Sequence, residues 1–168
     1  MNIATTIGDG THLPLLIRAL EKTKGDVLEL GMGVYSTPYL HYQCMLSKRN
    51  LVSYENNEPW VNFFIKAKGY ENEYHKIHHI KDYANAKIER PWDVVLIDHV
   101  PSNKRIIDIL RLKDMAKYII VHDTNGKWDR KFHYKEVWPE FKYGFTFDKE
   151  YPSASVVSNF INLKDFLK

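Results

Sequence analysis

The sequence predicts an α/β chain: a doubly wound, mostly parallel sheet with helices on both faces, ending in an antiparallel C-terminal hairpin. Three observations carry this expectation. An apolar run ending at Leu30 meets Gly31 and Gly33 and passes into a helical pattern, which gives a buried strand, a tight turn and a helix in succession. Residues 93–98 and 118–121 have unbroken apolar centres, as parallel strands covered on both faces require. Two further strand-like segments near the C-terminus have no helix between them and pair most simply as a hairpin.

Taken in order, Thr11 stands as the N-cap of a first helix, with Pro14 in its opening turn. Leu13, Leu16, Ile17 and Leu20 lie on one face of that helix, which runs to about Lys22. Gly25 and Asp26 break it ahead of the strand 27–30, and the glycine turn leads into a helix over 36–46. Residues 51–54 form a second strand that closes on Glu55. Asn57-Glu58-Pro59 starts a helix whose stripe of Trp60, Phe63, Phe64 and Ala67 ends at Gly69. A short third strand covers 75–80. After the fourth strand, 93–98, Ser102 caps a helix carrying Ile106, Ile109 and Leu110. The fifth strand, 118–121, runs into His122 and Asp123. This alternation implies right-handed crossovers and a parallel sheet. A helix limited by Pro139 is expected over 132–141, and strands over 143–147 and 155–161 form the hairpin.

A length of 168 residues predicts a single domain with one substantial core. Hydrophobic residues at 44% and charged residues at 27% argue against disorder, and no apolar stretch approaches the ~18 residues of a membrane span. The first ten residues lack the basic-then-apolar build of a signal peptide, and the lone Cys44 leaves no internal disulfide. Both features predict a cytoplasmic setting with no membrane partner. Cys44 lies in an apolar helical pattern and reads as a small core residue. The net charge of +3 comes from scattered Lys and Arg and leaves no nucleic-acid footprint. The run Lys127-Trp128-Asp129-Arg130-Lys131 reads as a solvated loop.

Ligands of open α/β sheets bind outside the carboxyl ends of the strands. There the first strand delivers Glu29 and the glycine turn, the second Glu55 and Asn56, and the third Asp82 and Tyr83. The fourth delivers Asp98 and His99, and the fifth His122, Asp123, Thr124 and Asn125. Packing alone gives a sheet no use for carboxylates at every such edge, so these residues read as one binding crevice. Gly31 and Gly33 offer backbone freedom for the close approach of a ligand, and the helix start at Ser36 and Thr37 offers N–H donors. Ser36 occupies the place of the third glycine of the dinucleotide fingerprint, which disfavours a pyrophosphate.

The pattern Glu29-x-Gly31-x-Gly33-x-x-Ser36 resembles motif I of the class I S-adenosylmethionine (AdoMet)-dependent methyltransferases, and the likeness extends from about residue 11 to 161. The resemblance implies a Rossmann-like methyltransferase domain. It implies AdoMet binding by Glu29, Gly31, Met32, Gly33, Ser36, Thr37, Glu55, Asn56, Asp82, Tyr83 and Asp98. Glu55 is then the acceptor for the ribose hydroxyls and Asp82 for the adenine amino group, with Tyr83 beside the ring. Glu29, the backbone near Gly31, and Asp98 face the methionine moiety.

The segments Ile97-Asp98-His99 and His122-Asp123-Thr124-Asn125 further resemble the magnesium-dependent small-molecule O-methyltransferases, which implies Mg²⁺ held by oxygen ligands. Two positions depart from that pattern: Thr124 separates Asp123 from Asn125, and Pro101 stands where those enzymes usually carry a lysine. The catalytic candidates are Asp98, His99, His122 and Asp123, and either histidine is a candidate base for the acceptor's proton. The expected reaction is methyl transfer to a small-molecule acceptor. Asp98-His99-Val100-Pro101 lacks the Asn/Asp-Pro-Pro-Tyr/Phe signature of the amino-methylating nucleic-acid enzymes, so a nucleic-acid acceptor is disfavoured. The acceptor site falls to the N-terminal segment, the loop after Asp98 and residues 126–134, with a second copy of the chain as a candidate to complete it. Two alternatives stay open: a non-catalytic module of this fold that binds cofactor or a partner, and aminopropyl transfer in the same crevice.

Overall fold

The structure is a computed structural model that describes residues 7–168. The elements are α1 (Leu13–Glu21), β1 (Val27–Leu30), α2 (Ser36–Ser47), β2 (Leu51–Glu55), α3 (Glu58–Asn62), β3 (His75–His79) and β4 (Trp92–Ile97). They continue with α4 (Arg105–Leu112), β5 (Ala116–Val121), α5 (Gly126–Phe132), β6 (Tyr143–Phe147) and β7 (Ala154–Ser158). One seven-stranded sheet runs in the order β3-β2-β1-β4-β5-β7-β6. The first five strands are mutually parallel; β7 lies antiparallel between β5 and β6. The expected α/β fold, with its parallel sheet and terminal antiparallel pair, is therefore present. The strand order reverses between β1 and β4, and that switch point opens the crevice described below.

The unbroken apolar strands bury residues on both faces because side chains alternate along a strand. Leu28, Leu30, Val95, Ile97, Ile119 and Val121 face one core with Ile109 and Leu112 of α4. Val27, Val94, Leu96, Tyr118 and Ile120 face the other, against Leu15, Leu16 and Ala19 of α1 and Leu40 and Cys44 of α2. Each buried Leu, Ile or Val side chain among these contributes about 1.5–3 kcal/mol. Cys44 is fully buried, as expected of a core residue, and its burial pushes the thiol up to about 12. No helix among the described residues is long and apolar enough to cross a membrane.

Several local expectations need correction. Thr11 does not cap α1, whose N-cap is His12 without a side-chain bond. The Thr11 hydroxyl instead donates to the carbonyl of Pro152 (2.6 Å), tying the chain's start to the β6–β7 connection. Ser102 makes no capping bond and opens a 3₁₀ turn ahead of α4. The helix expected over 132–141 is displaced: α5 spans the segment read as a loop, His133 ends it at φ 61°, and two 3₁₀ turns follow. Asn57 does cap α3, accepting from Trp60 N, but the helix continues as a π-helical turn over Phe63–Ala67. The last strand ends at Ser158, whose hydroxyl accepts from Phe160 N and Ile161 N and turns the chain away. Part of the N-terminal segment assigned to the acceptor site lies outside the described residues.

Candidate functional site

At the end of β1 the chain turns through Gly31 at φ 94°. A Cβ there would meet the backbone N and Cα of His99 at 2.6 Å, so the neighbouring end of β4 demands this glycine. The expectation that Gly31 makes room for a ligand is corrected accordingly. Gly33 is different: a Cβ would meet only Ser36 Oγ, at 3.5 Å. The turn between them is organised by Glu29. Its Oε1 accepts from Ser36 Oγ (2.7 Å) and Thr37 Oγ1 (2.9 Å), and its Oε2 accepts from Ser53 Oγ (2.7 Å). Glu29 is fully buried, and loss of water raises its carboxyl to about 7 against the lowering effect of the three hydroxyls. Glu29 and Thr37 thus hold the turn from beneath and do not present polar atoms to the crevice, contrary to expectation, while Ser36 reaches its wall.

Glu55 closes β2 with a carboxylate that accepts from Met32 N (2.8 Å) and Asn57 N (2.7 Å). A carboxylate offers about four lone-pair directions, so acceptor capacity remains beyond these two bonds. Burial raises its pKa. Asn56 donates to the Val100 carbonyl (2.7 Å), clasping β2 to the loop after β4. Glu55, Asn56, Asn57, His99 and Trp60 surround a cavity of about 460 Å³. Gly33, Tyr35, Ser36, His12, Arg105, His122 and Asp123 surround a second, of about 260 Å³. Met32, Trp60, Asp98 and Val100 line both, making one crevice across the ends of β1, β2 and β4. Its scale suits small-molecule sites, typically about 300–1,000 Å³.

The floor of the smaller cavity is built on Arg105, the first residue of α4 and almost wholly buried. Its guanidinium donates to Asp98 Oδ1 (2.8 Å), Asp123 Oδ2 (3.3 Å) and the carbonyls of His99 (2.8 Å) and His122 (3.0 Å). Burial favours the neutral form of Arg105, yet Asp98 and the other anions hold its pKa above the usual value. Asp98 in turn meets His122 Nδ1 (3.2 Å), and His122 with Arg105 keeps the Asp98 carboxyl well below the usual range despite desolvation. His122 is buried, which disfavours its charge, but Asp98 raises its pKa overall. His99 differs: Nε2 meets Asp108 (2.9 Å), the ring stacks on Tyr83 at 4.0 Å, and Nδ1 has no partner among the described residues. Burial lowers its pKa more than Asp108 restores it.

Of the residues expected at the site, Met32, Gly33, Ser36, Glu55, Asn56, Asp98, His99, His122 and Asp123 come together. Asp82 does not: it caps a 3₁₀ turn through Ala84 N and pairs with Lys104 (2.7 Å), which lowers its pKa. Tyr83 lies in the core beneath His99. The expected oxygen-ligated Mg²⁺ does not fit either. Arg105 already bridges Asp98 and Asp123, placing a fixed cation between the carboxylates that such an ion requires. Sequence reasoning missed Arg105, Asp108 and His12. No local sequence signal marks any of them.

No family model and no curated protein sequence matches the chain. Solved structures do. The human methyltransferase 10 domain containing protein is 13% identical with a TM-score of 0.64, over 94% of this chain and 86% of that one. An O-methyltransferase from Bacillus cereus in complex with SAH is 16% identical with a TM-score of 0.61, over 92% and 82%. A proposed RNA methyltransferase from Pyrococcus horikoshii is 16% identical with a TM-score of 0.59, over 89% and 83%. The chain has the class I methyltransferase fold.

Proposed function

We propose that this chain is one AdoMet-binding domain that transfers the cofactor's methyl group to a small-molecule acceptor. The observation that carries the reading is the crevice itself: it lies at the switch point of a methyltransferase-type sheet, across the ends of β1, β2 and β4. The residues fit the cofactor. Gly33 lines the crevice with no Cβ to obstruct a ligand, and Glu55 keeps acceptor capacity for ribose hydroxyls at the end of β2. The similar O-methyltransferase from Bacillus cereus is in complex with SAH, which supports AdoMet as the cofactor.

AdoMet, when bound, supplies an electrophilic methyl group. The chain contributes position and exclusion of water, the main components of such a transfer. Asp98 faces both halves of the crevice as an anion, suited to a cationic cofactor. His99 is the less committed of the two histidines and the candidate base. Its Nε2–H is held by Asp108, its Nδ1 is unengaged, and its lowered pKa keeps it neutral at pH 7. His122 is committed to Asp98 and to the chain's start. A nucleic-acid acceptor is the second reading, favoured by α5, where Lys127 and Lys131 lie 5.2 and 5.1 Å from the Trp128 ring.

Calorimetric titration with AdoMet and SAH tests the cofactor reading. Micromolar binding is expected, weakened at least tenfold in Glu55→Ala, about 1.4 kcal/mol. No heat with either ligand overturns it. Labelled methyl transfer to catechols and hydroxylated small molecules, against single-stranded RNA, then separates the two acceptor classes.

A further inference from the structure

One corner of the crevice holds a side chain whose chemistry the methyl-transfer reading leaves unused. His12 is 1% exposed, yet neither of its ring nitrogens has a partner among the described residues. A neutral imidazole carries one N–H and one lone pair, and leaving both unpaired in the interior is costly. Such a residue is expected to meet a ligand. Its ring lies edge-on to that of His122 at 4.8 Å, and both line the smaller cavity with Asp98.

The tautomer of His122 points the same way. Its Nε2 lies 3.2 Å from the Gly8 carbonyl, which only accepts, and 3.0 Å from Thr11 Oγ1, whose proton goes to the Pro152 carbonyl at 2.6 Å. Nε2 therefore carries the hydrogen, and in the neutral ring Nδ1 is a lone pair directed at Asp98 Oδ2, 3.2 Å away. Two acceptors face each other there, and a cation must lie between them. A proton on Nδ1 is one solution, but it leaves His12 orphaned. A metal ion satisfies all three groups at once.

We propose that His12, Asp98 and His122 form a binding site for one divalent first-row transition-metal ion. Ligand atoms of the three residues lie within 4.8 Å of one another. With metal–ligand bonds of about 2.0–2.2 Å, neighbouring ligand atoms stand roughly 3–3.5 Å apart, so the Asp98–His122 pair is already at ligand spacing and His12 has little more than an ångström to close. The outer contacts are those of a metal centre: the second nitrogen of His122 donates to a backbone carbonyl, and Arg105 holds the other oxygen of Asp98. Two imidazoles with one carboxylate favour zinc, iron, cobalt or manganese over magnesium, and leave coordination positions open towards the cavity. Metal binding is read without cofactor or acceptor, so this inference stands apart from methyl transfer.

The test uses the full chain, stripped with a chelator and titrated separately with Zn²⁺, Co²⁺, Mn²⁺ and Mg²⁺. One equivalent of Zn²⁺ or Co²⁺ per chain is expected to survive desalting at micromolar concentration, and Mg²⁺ is not. Bound Co²⁺ is expected to show visible d–d bands. His12→Ala and Asp98→Asn each lower the affinity at least tenfold. In the unaltered chain, Zn²⁺ shifts the ring-proton NMR signals of His12 and His122, a readout independent of whether any variant folds. Retention of less than a tenth of an equivalent, equal affinity in His12→Ala, or unmoved ring signals overturns the site.

Discussion

Glu29 shows how a sequence motif can name the right residue and misplace its work. The motif predicts a ligand contact. The register instead sets Glu29 beside Ser53 of β2, and Ser53, Ser36 and Thr37 consume its oxygens. Strand register is not visible in a single sequence, so this inward turn was not legible. Its consequence is a pH dependence. The carboxyl sits at about 7 in the fold against an ordinary 4.5, so the native state favours the protonated form. The stability this gives is fully present below pH 4.5 and lost as pH rises through about 7. The loss is on the order of 3 kcal/mol. Glu29→Gln keeps a polar group of the same shape and removes the titration. His75, held neutral by burial and lowered to about 3, titrates in both proteins and cancels. Urea unfolding from pH 4.5 to 8 should therefore show the Glu29→Gln variant losing ground at the acid end and gaining it at the alkaline end. Parallel curves would contradict the assignment.

The elements were largely legible, because apolar period and unbroken runs report burial directly. Val94–Leu96 and Ile119–Val121 are buried on both faces just as their sequence demands. Helix ends were read less well, and the reason is specific. The usual stop signal is a glycine in the left-handed region, yet α2 ends on Lys48 at φ 54° and α5 on His133 at φ 61°. With no glycine to mark His133, the helix of 126–132 was shifted onto the segment after it. A non-glycine residue in this conformation costs roughly 1–2 kcal/mol. The side chain of Lys48 is exposed, and its backbone N–H still closes onto the carbonyls of Cys44 and Met45. Lys48→Gly should therefore stabilise the protein by about 1 kcal/mol, raising the melting temperature by about 2–4 °C. A fall on calorimetric scanning would show that the lysine side chain supplies more than its backbone strain costs.

At the scale of the molecule, the crevice joins residues that the chain holds far apart: Gly33, Glu55, Asp98 and His122 arrive from four strand ends, and His12 from ahead of the first helix. The strand ends were legible because topology alone delivers them to one edge. His12 and Arg105 were not, since only the packing of α1 and α4 against the sheet brings them there. A ligand spanning this edge touches the turn after β1, the end of β2 and the end of β4 together, so its binding stabilises the fold as a whole. SAH at a hundred times its dissociation constant should add about 2.7 kcal/mol. For a chain of this size that is a rise of roughly 5–10 °C in melting temperature. Gly33→Ala separates the site from the scaffold. The new methyl meets only ordinary contact at 3.5 Å from Ser36 Oγ, so the unliganded protein should melt within about 2 °C of wild type. With SAH against this turn, as proposed, the same methyl crowds it, so the SAH-induced rise should shrink by at least half. Gly31→Ala, forced against the His99 backbone, should instead lower the melting temperature before any ligand is added. Equal ligand-induced shifts in wild type and Gly33→Ala would place the ligand away from this turn.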